Sequence, residues 1–324
     1  MTSKGKGKAA RRARVDAPSD PAPPRAAAIE GTVLEAKAGF FDVDTPEGLR
    51  VCKLRGRLKR EKKKTDLCVV GDRVRISPTE PGQGLVEEVL PRRTVFSRRH
   101  PGQTHREDVL VANLDQLLVV FAFGDPPFRP RLLDRFLVVA EHNRVRARLV
   151  MNKADQEDTA QRAQALSYVD LGYPVHVVSA TEGAGLADLE AALRGTISAL
   201  AGPSGVGKSS LLNALSPGLA IRVAATSAAH GKGRHTTRVA TLHPVAGGWV
   251  ADTPGIRELG TWALPDEHLD QCFVEFRPYL ASCAFRNCRH RSEPRCAVRE
   301  AVDAGAVAEA RYASYRLLLD EEER

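Results

Sequence analysis

GPSGVGKSS, residues 202–210, sits between the apolar run ISALA and the helix-forming LLNAL. The pattern G-x-x-x-x-G-K-[ST], entered from a strand and followed by a helix, describes a phosphate loop. Gly202, Gly205 and Gly207 allow the backbone to wrap an anion with its N–H groups, and Pro203, Ser204, Val206 and Ser210 complete the turn. Lys208 brings a positive charge to the terminal phosphates, and the Ser209 hydroxyl can hold Mg2+.

Working outward, strand-like and helix-like stretches alternate. Strand-like stretches at 109–123, 145–151, 175–178 and 197–201 are separated by helical patterns near 132–141, 160–171 and 186–193. Such alternation predicts an α/β core, a parallel sheet covered by helices, with its ligand at the carboxyl ends of the strands.

Three further motifs fall at predicted strand ends. NKAD, residues 152–155, follows the strand at 145–151. The Asp155 carboxylate can accept from both N1–H and the exocyclic amine of guanine, whereas adenine would leave it unpaired. Asn152 is expected to address the other edge of the base and the Lys153 stem its face. SAT, with Ser179, Ala180 and Thr181, ends the next strand and can close over the base. DTPG follows the run at 249–251, placing Asp252 to hold Mg2+ and the Gly255 N–H to sense a γ-phosphate. Upstream, GRHTTR at 233–238 offers Thr236 or Thr237 as another Mg2+ ligand.

Before this core, five short strand-like segments at 29–36, 40–44, 49–54, 72–77 and 84–90 predict a small all-β barrel of the OB type, a fold that often binds single-stranded nucleic acid. Phe40 or Phe41 is placed to stack on a base, with core packing the alternative for at least one of them. The basic run RGRLKREKKK at 55–64 reads either as a solvated loop or as a phosphate contact.

Behind the core, after about residue 262, strands disappear and helical segments bracket CAFRNCRHRSEPRC. Cys283, Cys288, His290 and Cys296 supply three thiolates and an imidazole, a donor set for one closed, structural zinc site per chain. Buried free thiols are the alternative. Cys52, Cys68 and Cys272 lack such company and are expected to pack.

Composition narrows the setting. Of 324 residues 43% are hydrophobic and 27% charged, the balance of a globular chain with buried cores. The longest apolar run, at 117–123, is far below the roughly 20 residues that span a bilayer. No apolar segment follows the basic start of the chain, so neither a secretory signal nor a membrane anchor is expected. A cytoplasmic, reducing setting argues against reading the six cysteines as disulfides. A net charge of +8 favours an anionic partner, nucleic acid ahead of membrane. Residues 1–28 hold little to bury and are expected to form a disordered basic tail.

The order of the motifs is the most specific feature. In ordinary GTPases the phosphate loop leads and the guanine motif comes late; here NKAD and SAT precede GPSGVGKS, GRHTT and DTPG. With a barrel in front and a Cys/His cluster behind, this circularly permuted order resembles the ribosome small-subunit-dependent GTPase A family, over everything except the tail. The resemblance implies a barrel at 29–95, a permuted P-loop GTPase core at 96–262 and a small helical zinc-binding domain at 263–324. It implies a GTP/GDP cycle with Mg2+, a monomer that grips the small ribosomal subunit through its rRNA, and hydrolysis coupled to a late maturation step and release. It favours Thr237 as the switch ligand to Mg2+; Arg238 stands where the family often has a third threonine. Ile256 occupies the place where many GTPases put a water-orienting glutamine. The resemblance gives that task to His235, a surface histidine being the alternative. Two rival classes remain open at this point: an RNA-binding assembly module that uses GTP as a latch, supported by the missing glutamine, and a P-loop ATPase or kinase, opposed by Asp155.

Overall fold

The computed structural model describes residues 28–37, 39–56, 58, 67–100, 103–218, 240–252, 256 and 268–322, with 98–100 and 103–108 as backbone only. The basic tail, most of the 55–64 run, His235, Thr236, Thr237 and Gly255 lie outside the described residues.

All five expected barrel strands form: β1 (Ile29–Lys37), β2 (Phe40–Thr45), β3 (Gly48–Leu54), β4 (Arg73–Pro78) and β5 (Gln83–Val89). Alternation turns Val33, Phe41, Val43, Cys52, Val74, Ile76 and Val86 inward. The strands close in the order β1-β2-β3-β5-β4-β1, with β3 and β5 parallel. This is an OB-like barrel. The two phenylalanines separate: Phe41 is core, while Phe40 stays 45% exposed with the Lys53 ammonium 4.8 Å above its ring. Arg55, at the start of the basic run, is tied to Glu87, and Arg92, just after the barrel, to the buried Asp72.

The run at 109–123 is not one strand. It divides into β7 (Gln103–Ala112), which pairs with β6 (Val95–His100) as a separate hairpin, and β8 (Gln116–Ala122). Asn113 makes the break: it takes a left-handed φ of 55°, and its carboxamide accepts from Arg93 N at 2.8 Å and donates to Gly71 O at 2.9 Å. The core sheet then runs β10 (Val175–Val177), β9 (Arg146–Asn152), β8, β11 (Ile197–Ala201), β13 (Gly248–Asp252) and β12 (Thr241–Val245). Only β12 is antiparallel to its neighbour within this row. Every residue of the central β8 is buried, because both faces are covered.

Alternate β8 residues serve the two faces. Leu117, Val119 and Phe121 pack with α1 (Pro130–His142) and the end of α2 (Thr159–Leu166), whereas Leu118 and Val120 pack with α3 (Leu186–Leu193) and α4 (Lys208–Leu215). Helix α2 ends earlier than expected, and the chain turns through 167–173 with Tyr168 and Tyr173 buried. The barrel joins the core edge where Glu35 of β1 pairs with Thr241 of β12.

Among the described residues no strand follows Asp252. Turns at Leu269–Cys272 and Val274–Phe276 lead into α5 (Arg277–Leu280), α6 (Ala297–Asp303) and α7 (Glu309–Glu322). These pack on the α1 face, where Phe273, Phe276, Tyr315 and Leu318 join the larger core. Arg311 of α7 is 6% exposed and bonds Asp134 of α1, while its Nε lies 2.6 Å from Glu275 Oε1. Burial works against its charge, but the two carboxylates outweigh that and raise its pKa.

Candidate nucleotide site and metal centre

The phosphate loop lies at the carboxyl end of β11, between the ends of β8 and β13. Gly202, with φ 140°, passes so close to the Val120 carbonyl that a Cβ would collide with it. Gly207, with φ 87°, caps the start of α4, and a Cβ there would collide with the Asn152 carboxamide. Between them Pro203 is half-buried, Ser204 and Gly205 are exposed and Val206 is buried, so the crest of the loop faces solvent while its base is anchored. Lys208 donates to the carbonyls of Gly202 at 2.7 Å and Pro203 at 2.5 Å. Ser209 is half-buried and Ser210 exposed on the first turn of the helix.

Beside it the guanine motif ends β9. Asn152 is 2% exposed and bridges two loops: its Nδ2 donates to Val206 O at 2.9 Å and its Oδ1 accepts from Ala180 N at 3.1 Å. The expected contact with the base did not include this clamp between the phosphate loop and the SAT loop. Lys153 adopts a left-handed φ of 58° and donates to the carbonyl of Asp125, in the turn after β8. Asp155 is exposed, and its Oδ1 accepts from the buried Ser179 hydroxyl at 2.7 Å. That hydrogen bond holds the Asp155 carboxyl below its usual pKa, and the neighbouring Lys153 charge works the same way. The result is an ionised, solvent-facing acceptor with a fixed orientation. Thr181 Oγ1 lies 3.0 Å from Ser179 Oγ and extends the network.

Asp252 is the last residue of β13 and pairs in register with Thr241 of β12. It therefore stands on the strand next to the phosphate loop. Ile256 is fully buried in the larger core, so its side chain faces away from solvent and cannot orient water.

The second constellation is close-knit. Cys283, Cys288, His290 and Cys296 bring their ligand atoms within 4.8 Å of one another. His290 Nδ1 lies 3.6 Å from Cys283 Sγ and 3.2 Å from Cys296 Sγ. Tetrahedral zinc bonds imply about 3.6 Å between nitrogen and sulfur ligands. The spacing and the donor set fit one such ion. Burial pushes the Cys288 thiol up to about 12, so a free thiol there would stay protonated, and a cation is what such an enclosure needs to hold thiolates. The loop is braced from within: although burial opposes its charge, Glu293 is held down at about 2 by the N–H groups of Arg289, Arg291 and Ser292.

Comparisons with known proteins agree with this layout. A family profile described as RsgA GTPase matches residues 89–262, and one described as RsgA N-terminal domain matches residues 30–86. A small ribosomal subunit biogenesis GTPase RsgA of Gemmatimonas aurantiaca is 48% identical, covering 90% of this chain and 96% of its own length. A protein of the same name from Moorella thermoacetica is 41% identical, over 90% and 97%. Among solved structures, YjeQ from Thermotoga maritima superimposes with a TM-score of 0.75 at 36% identity, covering 91% of this chain and 98% of that one. YloQ, described as a circularly permuted GTPase, gives 0.74 at 31% identity, over 94% and 98%.

Proposed function

The chain belongs to the RsgA GTPase family, and on that premise we propose that it hydrolyses GTP in the biogenesis of the small ribosomal subunit, where turnover drives a late maturation step and its own release. The observation that carries this reading is the Asn152 clamp with the oriented Asp155 beside it. One carboxamide fastens the phosphate loop to the loop closing over the base, so phosphate and guanine are read by a single rigid unit.

In this reading Asp155 selects guanine, and the Lys153 stem and the Ser179–Ala180 turn border the base. The 202–210 backbone and Lys208 hold the phosphates. Lys208 exchanges its two carbonyl partners for phosphate oxygens, a stronger, charge-assisted pairing. Ser209, Thr237 and Asp252 would hold Mg2+, which neutralises phosphate charge when bound. Gly255 senses the γ-phosphate, and His235 positions the attacking water, a task closed to the buried Ile256. Cys283, Cys288, His290 and Cys296 take one zinc, which pins the C-terminal fold.

We assign the working partner as the small subunit with its rRNA, met by a monomer in the cytoplasm. The exposed Phe40 with Lys53 on the barrel suits a base and its phosphate. Among the described residues no helix is long and apolar enough to cross a membrane. The burial of Ile256 also favours a second reading, GTP as a latch without meaningful turnover. Measuring GTP hydrolysis by the purified chain with and without small subunits separates the two. At least tenfold stimulation by small subunits, and less by large ones, is expected. Equal rates at low salt, where binding is independently verified, would reject activated turnover in favour of the latch.

A further inference from the structure

The proposed zinc ligand His290 uses Nδ1 toward the thiolates, which leaves its other ring nitrogen pointing away from the cluster. That nitrogen, Nε2, lies 3.4 Å from Asp270 Oδ2, at the long end for a hydrogen bond. His290 is 1% exposed, so the carboxylate rather than bulk solvent faces this nitrogen. Its remaining surroundings leave it little freedom. Tyr312 donates to the His290 carbonyl at 2.6 Å, and the rings of Phe276 and Tyr315 stand 6.3 and 6.1 Å from the imidazole.

Asp270 itself is fixed. It belongs to the turn Leu269–Cys272, whose Leu269 and Cys272 are buried in the same core as α1, and its Oδ1 accepts from Gln271 N at 2.9 Å. The other carboxylate is thus presented to His290 from a platform anchored on the GTPase core, not from the cysteine loop. Nothing in the Cys/His spacing points to it, since twenty residues separate the two partners.

From this juxtaposition we propose that Asp270 is the positioning residue of the metal centre. It accepts the Nε2 proton of His290, fixes the tautomer that frees Nδ1 for the metal, and raises the basicity of that nitrogen. The inference rests on the zinc reading above and adds a fifth residue to it. Because Asp270 stands on the core side, it also makes the metal centre continuous with the turn that follows the nucleotide-binding strands.

The test uses the full chain as wild type, Asp270→Ala, Asp270→Asn and Cys288→Ala. Zinc content is measured by mass spectrometry, zinc affinity by competition with a chromogenic chelator, and the His290 Nε2–H resonance by nitrogen-edited NMR. Asp270→Ala should weaken zinc by about 10- to 100-fold. Asp270→Asn, which keeps an acceptor, should recover most of that loss and shift the Nε2–H signal. GTP affinity should stay unchanged in both. Zinc affinity of Asp270→Ala within twofold of wild type would overturn the role of Asp270 while leaving the zinc site standing. Should Asp270→Ala fail to fold, an unshifted Nε2–H signal in Asp270→Asn overturns the role equally. Wild type free of zinc, and indistinguishable in this from Cys288→Ala, would overturn the zinc reading and with it this inference.

Discussion

Replacing Arg311 by methionine tests how the C-terminal segment is held to the GTPase core. The guanidinium joins three elements: Asp134 on α1, Glu275 on the turn before α5, and α7, which carries Arg311 itself. It also lies over the rings of Phe273 and Tyr168, 4.7 and 5.6 Å from their centroids. Methionine fills much of the same space but leaves two carboxylates in a region where Asp134 is 2% exposed. The Tyr168 hydroxyl, 2.6 Å away, stays on Asp134 and softens the loss there. Removing one partner of a buried ion pair costs about 3–5 kcal/mol, and we expect about 4 here. The free energy of opening this segment should fall by the same amount. Because the chain has several folded units, the readout is hydrogen exchange of residues 268–322 alongside circular dichroism. Arg135→Met is the control. Arg135 also links α1 to α7, but its partner Glu321 has a side chain 57% exposed, and such pairs are worth about 0–1 kcal/mol. Neutralising the orphans, with Asp134→Asn and Glu275→Gln added to Arg311→Met, should return part of the loss. A cost below 1 kcal/mol for Arg311→Met, equal to that of Arg135→Met, would refute the argument.

Asp155→Asn should weaken GTP and improve xanthosine triphosphate, because xanthine puts a carbonyl where guanine has its amine; unchanged GTP affinity in a competition assay would remove the guanine assignment. Gly207→Ala should lower GTP affinity at least tenfold while the fold is retained, since a Cβ at φ 87° would push the Asn152 amide off Val206; wild-type binding by calorimetry would deny the clamp its role. His235→Ala should slow hydrolysis with GTP affinity kept within a few-fold, as expected of a group that acts in the transition state. Loss of binding with an unchanged rate per bound nucleotide would make His235 structural.

What was legible in the sequence was local. GPSGVGKSS, NKAD and the Cys/His run each carry their chemistry within a few residues, and their order along the chain is itself the mark of the permutation. The barrel was readable for a similar reason, since inward Val33, Val43, Val74, Ile76 and Val86 alternate with outward residues. The hairpin β6–β7 is not legible, because strand-like sequence resumes directly after Asn113 and Asp115 and the two strands read as one stretch. Both breaking residues were visible, but Asn113 turns the chain through partners at Arg93 and Gly71 that no local pattern names. Strand β12 is masked by Pro244, a residue disfavoured inside strands. The Asn152 clamp, Asp270 and Arg311 escaped for the same physical reason: each acts on a residue distant in sequence, up to 177 positions away for Arg311 and Asp134.

The permuted order has a structural counterpart in where the flanking units attach. Strand β12 leads away from the threonine motif at 236–237 and β13 leads into DTPG, and the register pairs their near ends, Thr241 with Asp252. The barrel meets the core at that same residue: Glu35 pairs with Thr241, and the Thr241 hydroxyl lies 3.2 Å from Glu35 Oε1. The C-terminal segment attaches elsewhere, on α1 and the turn after α2, through Arg311 and its carboxylates. On the proposed function, a partner touching both units would bear on Asp252 through the barrel and on the turn after α2 through Tyr168. Neither contact would change the rate unless it differed in strength between the resting and hydrolysing forms of the chain. The required difference is small: about 1.4 kcal/mol, one hydrogen bond of the Glu35 kind gained or lost, is a tenfold change in turnover.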